Sequence, residues 1–167
     1  MLLFVISIAV AAQMGQTTPI TPADAKALAT TVFNNLVPPE GKIDARPTAG
    51  RSLFVDEKQT LGALQRLVSS GRITSLDFGR SFIDRKHDDV IRCDGPGPRG
   101  CAMESDGIFV SIVEAERTPA NGQIHIKGTV RWVERRDPRA VDGFDMDFYL
   151  ARGAGGWQIV RKSALVL

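Results

Sequence analysis

The sequence predicts an α+β fold in which N-terminal helices pack on a strongly curved, mainly antiparallel sheet with a C-terminal four-strand meander. Three observations predict it. Apolar residues recur at helical spacing from Thr21 to Leu36 and again from Asp56 to Ser70. Four amphipathic stretches, Ile108 to Glu116, Gln123 to Arg135, Phe144 to Arg152 and Trp157 to Leu167, then follow one another. Only turn-forming residues separate them: Pro119-Ala120-Asn121-Gly122, Pro138 to Gly143, and Gly153 to Gly156.

The amino end reads as an export signal. Leu2 to Ala12 is an uncharged apolar run of signal-peptide length, and Ala9-Val10-Ala11 and Val10-Ala11-Ala12 both fit a small-x-small cleavage rule. Residues 1–12 are therefore expected to be a signal peptide, 13–20 a mature N-terminal tail and 21–167 one domain around one core. The first basic residue is Lys26, so only the amino group of Met1 supplies a positive n-region; a buried N-terminal strand or helix is the competing reading. A spanning helix needs about 20 apolar residues. Gln13, Gln16, Thr17 and Thr18 interrupt the run, so no stable span is expected after cleavage and the protein is expected to be secreted or periplasmic.

The two cysteines agree with export. Cys93 and Cys101 bracket a Gly- and Pro-rich turn, where a disulfide would act as a staple in an oxidising compartment. A redox pair usually has C-x-x-C spacing and a zinc site usually four ligands. Seven intervening residues and only His87 and His125 fit neither. No metal or cofactor is implied.

Charge is nearly balanced, 21 basic residues against 19 acidic ones for a formal +2, and nucleic acid is not an expected partner. The densest basic patch, Arg131, Arg135, Arg136 and Arg139, is interrupted by Glu134 and Asp137 and reads as a solvated surface.

Taken in order, the first helix starts at Thr21, with Pro22 in its first turn and Asp24 where a carboxylate meets free amides. Ala25, Leu28, Val32 and Leu36, with Ala29 and Phe33, form its apolar stripe, and Pro38-Pro39 end it. Residues 38–50 read as a loop. The second helix presents Leu61, Leu64, Leu67 and Val68 inward and stops at Gly71, despite Gly62 inside it. Ile73 to Phe78 and Asp89 to Cys93 read as short strands, joined by a charged surface segment that holds His87.

In the meander, Phe144, Met146, Phe148 and Leu150 alternate with Asp145, Asp147, Tyr149 and Ala151, which gives one apolar and one mostly polar face. Ile124, Ile126, Val130 and Trp132 share a parity on both sides of Gly128, so that glycine is expected to bend the strand without flipping it.

With N-terminal helices, a bent meander, the long strand around Gly128-Thr129-Val130-Arg131-Trp132 and a closing Gly-Gly-Trp-x-Ile strand, the chain resembles the nuclear transport factor 2-like superfamily, the cone-shaped fold of ketosteroid isomerases. The resemblance covers residues 21–167 and implies a cone-like domain whose concave face and helices enclose an apolar pocket. Many members are dimers through the sheet, which implies a homodimer here, and many lack a known activity. Isomerase members pair a tyrosine from a helical region with acidic groups in the pocket. Here the sole tyrosine, Tyr149, lies on the polar parity of the meander, so that mechanism is not expected.

Two sets of candidate residues follow from alternation. Asp145, Asp147 and His125 fall on the face opposite Phe144, Met146 and Phe148, where they are expected to form cross-strand ion pairs with Lys127 and Arg131. On the inward parity, Glu114 continues the row of Ile108, Val110 and Ile112; Glu134 continues that of Trp132; Arg161 follows Trp157 and Ile159. A carboxylate beside an arginine at the mouth of the cone would bind a polar ligand end or act as a base. Signatures for nucleophile elbows, phosphate loops and His-Glu-x-x-His zinc sites do not occur in the sequence. The expected function is an exported, non-catalytic binding or interaction module, holding a small apolar ligand among Trp132, Phe144, Met146 and Phe148. The alternatives are a self-association or envelope-assembly module with a filled core, and a lyase or isomerase using Glu114 or Glu134 as base.

Overall fold

The computed structural model describes residues 18–37, 50–76, 82–95, 100–103, 106–134 and 137–166, without the side chains of 134, 137–140 and 166. The expected signal peptide, most of the loop after the first helix, and Arg135 and Arg136 lie outside the described residues.

Local chemistry places the first helix, α1 (Pro22–Leu36). The Asp24 amide donates to the Thr21 hydroxyl at 3.1 Å while the Asp24 carboxylate accepts from the Thr21 amide at 2.9 Å, so two otherwise free amides are satisfied reciprocally. Ala25, Leu28, Ala29, Val32, Phe33 and Leu36 form its buried stripe. Ile20, assigned to a tail from the sequence, is instead buried in the core and bridges Val68.

The second helix is shorter than its apolar pattern suggests. After strand β1 (Ser52–Val55), Asp56 caps α2 (Glu57–Gln65), which ends at Arg66 rather than Ser70. Leu67 and Val68 leave the helix because Val68 pairs with Ile20 and the Ser69 amide donates to the Ile20 carbonyl. Gly71 still takes the left-handed conformation, φ 87°, a turn further on.

Ile73 to Leu76 is not a strand: its amides go to side chains, Ile73 to Gln65 Oε1 and Leu76 to Glu57 Oε1. The next elements are β2 (Ile83–Asp84), the short α3 (His87–Val90) and β3 (Ile91–Cys93), so Asp89 and Val90, the first two residues of the strand expected from Asp89, are helical. β3 pairs with β4 (Cys101–Met103), Cys93 directly opposite Cys101, and the two are joined in a disulfide.

The remaining strands are β5 (Gly107–Arg117), β6 (Ile124–Glu134), β7 (Asp137–Gly153) and β8 (Gly156–Val166). The segment from Pro138 to Gly143, expected as a turn, is part of β7. Among the described residues the main sheet has six strands in the order β2-β1-β5-β6-β7-β8. β1 pairs parallel with both neighbours, and every pair from β5 to β8 is antiparallel.

Each face of the sheet carries its own core. On one face α1 and α2 bury Ile108, Val110, Ile112, Ile124, Ile126, Phe148 and Leu150. On the other, α3 and the disulfide hairpin cover Phe54, Phe109 and Val141 with Val90 and Ile91. No described helix is long and apolar enough to cross a membrane.

Candidate functional site

Alternation along β7 holds in space. Phe148 and Leu150 are fully buried under the helices, and Phe144 and Met146 pack partly exposed against the same core with Trp132, whose ring meets Phe144 edge-on at 5.7 Å. Gly128 lies under α1, with the Leu36 methyl groups where its own side chain would be.

The opposite, outer face carries the charges. Arg131 Nη2 donates to Asp145 Oδ1 at 2.7 Å, and Lys127 Nζ stands 3.5 Å from Asp145 Oδ2. His125 meets Asp147 Oδ1 at 2.8 Å through Nε2 and Glu116 Oε1 at 3.4 Å through Nδ1. The imidazole stacks on Tyr149 at 4.8 Å, and the Arg161 guanidinium lies 3.7 Å from the centre of the Tyr149 ring. Asp145 thus pairs across strands with Lys127 and Arg131, and Asp147 with His125, all on the face opposite the helices.

Two one-residue bulges relocate the inward candidates. Ile112 pairs with Gly128 but Glu114 pairs with Lys127, which leaves Val113 as the extra residue and moves Glu114 out of the row of Ile108, Val110 and Ile112. Glu114 is exposed. Likewise Leu150 pairs with Ile159 but Tyr149 with Arg161, so Val160 is extra and Arg161 turns from the Trp157 and Ile159 side to the Tyr149 side. Both inward placements are corrected for that reason. The Glu134 side chain lies outside the described residues, although its backbone pairs with Asp137 after a further register shift.

Among the described residues, two cavities open toward the end of the sheet formed by the β5–β6 and β7–β8 turns. One, about 820 Å³, runs beside Arg66 and Leu67 along Val113 to Arg117 and includes Glu114. The other, about 480 Å³, lies between Arg117, Pro119, Gln123, Arg152 and Trp157. Trp132, Phe144, Met146 and Phe148 line neither.

Asp24 stands beside the smaller cavity. Its carboxylate accepts from Thr21, is ion-paired to Arg152, and lies 3.4 Å from Trp157 Nε1. Burial works to raise its pKa, but the Thr21 amide and hydroxyl and the Arg152 charge outweigh that and hold it at about 2. Sequence reasoning took Asp24 only as a cap and did not single out Arg117 or Arg51. The Arg51 side chain is 5 % exposed, with Nε 3.0 Å from Asp106 Oδ1 and Nη1 buried without a hydrogen-bond partner. A basic residue before a four-residue strand carries no sequence signal for such burial.

The arrangement defines a mixed α+β protein with a mainly antiparallel sheet, helices on one face and a disulfide-stapled hairpin on the other. No protein-family profile matches the chain, and neither a curated protein nor a solved structure matches it.

Proposed function

We propose that the protein is an exported, non-catalytic interaction module of the nuclear transport factor 2-like fold, whose helix side is filled by its own side chains and whose outer sheet face binds a second copy. One observation carries this reading: Leu28, Leu36, Ile112, Ile124, Ile126, Phe148 and Leu150 are 0–1 % exposed, so the space between α1 and β5 to β8 is occupied. The consecutive antiparallel pairing from β5 to β8 supports a meander, and its bulges support strong curvature, since bulges bend strands. The disulfide supports an oxidising compartment.

The outer face suits a two-fold contact. It carries carboxylates at Glu114, Glu116 and Asp147 and cations at Lys127 and Arg161, so a rotated copy can set one sign against the other. Sedimentation equilibrium tests it. The expected result is a concentration-dependent dimer that Arg161→Glu weakens about tenfold or more, the equivalent of about 1.4 kcal/mol; a monomer at every concentration rejects the reading.

A small apolar ligand remains the second reading, favoured by Trp132, Phe144 and Met146 staying partly exposed at the border of the core. Such a ligand should raise the melting temperature of the wild type and not of Trp132→Ala. The lyase or isomerase alternative gains no support from Glu114 or Arg161, both exposed on strands whose bulges turn them away from the helix side.

A further inference from the structure

The smaller cavity, on the helix side of the sheet and away from the outer face, has the makings of a ligand site. Strand register brings its parts together: Arg117 pairs with Ile124, Ile124 with Leu150, and Arg152 with Trp157, so four strand ends meet at one corner. At about 480 Å³ it falls within the range of small-molecule sites. Among the described residues no acidic side chain lines it, whereas two guanidiniums do.

Those two cations are not equivalent. Arg152 is neutralised by Asp24, a carboxylate that stays ionised down to about pH 2. Arg117 has no carboxylate partner among the described residues; its Nη2 donates to the Thr18 carbonyl at 2.8 Å. A guanidinium carries five N–H donors in a planar fork, so one contact to a carbonyl leaves most of them available to a bidentate acceptor. The Asn121 carbonyl oxygen is engaged by Thr118 and by the Gln123 amide, which leaves the amide nitrogen of Asn121 as a further donor at the wall. Trp157 and Pro119 supply flat apolar surface beside these polar groups.

We infer that this cavity binds a small organic carboxylate with a flat apolar body, the carboxylate held by Arg117 and the body laid against Trp157. One unneutralised cation matches one negative charge, which favours a carboxylate over a doubly charged phosphate. The site is independent of the outer face and does not require the protein to be a dimer.

Benzoate is the probe, with benzyl alcohol lacking the charge and inorganic phosphate lacking the body. Two indole N–H signals, from Trp132 and Trp157, report the titration in proton–nitrogen correlation spectra of the intact protein. Benzoate should shift the Trp157 signal saturably and leave that of Trp132 in place, while benzyl alcohol and phosphate bind at least about tenfold more weakly. Arg117→Gln should weaken benzoate about tenfold or more, the loss expected for a charge-assisted hydrogen bond, with the rest of the spectrum unchanged. The assignment is overturned by no saturable shift at Trp157, by either control binding as tightly as benzoate, or by undiminished binding to Arg117→Gln. Should that variant not fold, the wild-type comparison of benzoate with benzyl alcohol decides alone.

Discussion

Asp24 joins three elements through one carboxylate: it closes the capping box of α1, pairs with Arg152 at the end of β7 and faces the indole of Trp157 on β8. Its pKa falls from 3.8 to about 2 on folding. A carboxyl with a depressed folded-state pKa binds fewer protons folded than unfolded, so its stabilisation is complete above about pH 4 and disappears as pH drops through about 2. The shift corresponds to at most about 2 kcal/mol at neutral pH, reduced by solvent screening around a carboxylate near the surface. Asp24→Asn should therefore cost about 1–2 kcal/mol in urea unfolding at pH 7 and flatten the stability profile between about pH 4 and 2; an unchanged acid limb would show that the ion pair does not stabilise the fold. Gly143 presents a different constraint. A methyl group there would strike the Val130 carbonyl oxygen and the Arg131 side chain, which lies across it to reach the Phe144 carbonyl at 2.9 Å. Gly143→Ala should destabilise by about 1–3 kcal/mol, whereas Gly122→Ala meets no neighbour and should cost only the strain of its φ of 68°.

At the level of elements, the β3–β4 hairpin has little hold of its own, three residues in each strand, and relies on the Cys93–Cys101 link and on its packing with Val90, Phe109 and Val141. Closing a loop of this length contributes about 2–3 kcal/mol in the chain-entropy view. Replacing both cysteines by serine should thus speed amide exchange most in β3 and β4 and less in β5 to β7; equal loss in all of them would mean that the hairpin has no local opening of its own. Legibility also divides by element. The start of α1 was readable to the residue, because Thr21, Pro22 and Asp24 specify it locally, and the stripe through Leu36 gave its buried face. β5, β6, β8 and the second half of β7 were readable for a similar reason, since each amphipathic run carries its own period; Pro138 to Gly143 carries turn residues and was read as a turn, although it pairs with β6. Bulges were not readable, since Val113 and Val160 are ordinary strand residues whose extra position exists only relative to the partner strand. Every inference that crossed a bulge, to Glu114 or to Arg161, consequently landed on the wrong face. β1 and the end of α2 escaped for another cause: partners distant in sequence, β5 and Ile20, decide them.

For the molecule as a whole, the sheet separates two cores that share a strand. Ile108 and Val110 of β5 point to the helices, while Phe109 between them points to the disulfide hairpin. Loss of packing on either side must therefore loosen the same backbone, and the cores should melt together. Leu36→Ala removes a 1 % exposed side chain packed over Gly128, and Phe109→Ala one equally buried on the other face. Truncations of this kind cost about 2–5 kcal/mol. Each should lower the midpoint of a single transition, with circular dichroism of the sheet and fluorescence of Trp132 and Trp157, both on the helix side, still coinciding. If Phe109→Ala instead produced an early phase seen by circular dichroism and silent in tryptophan fluorescence, the outer core would be an appendage. Coincidence would mean that β5 couples the two faces, so that an event on the outer face of the sheet is felt in the packing beneath α1.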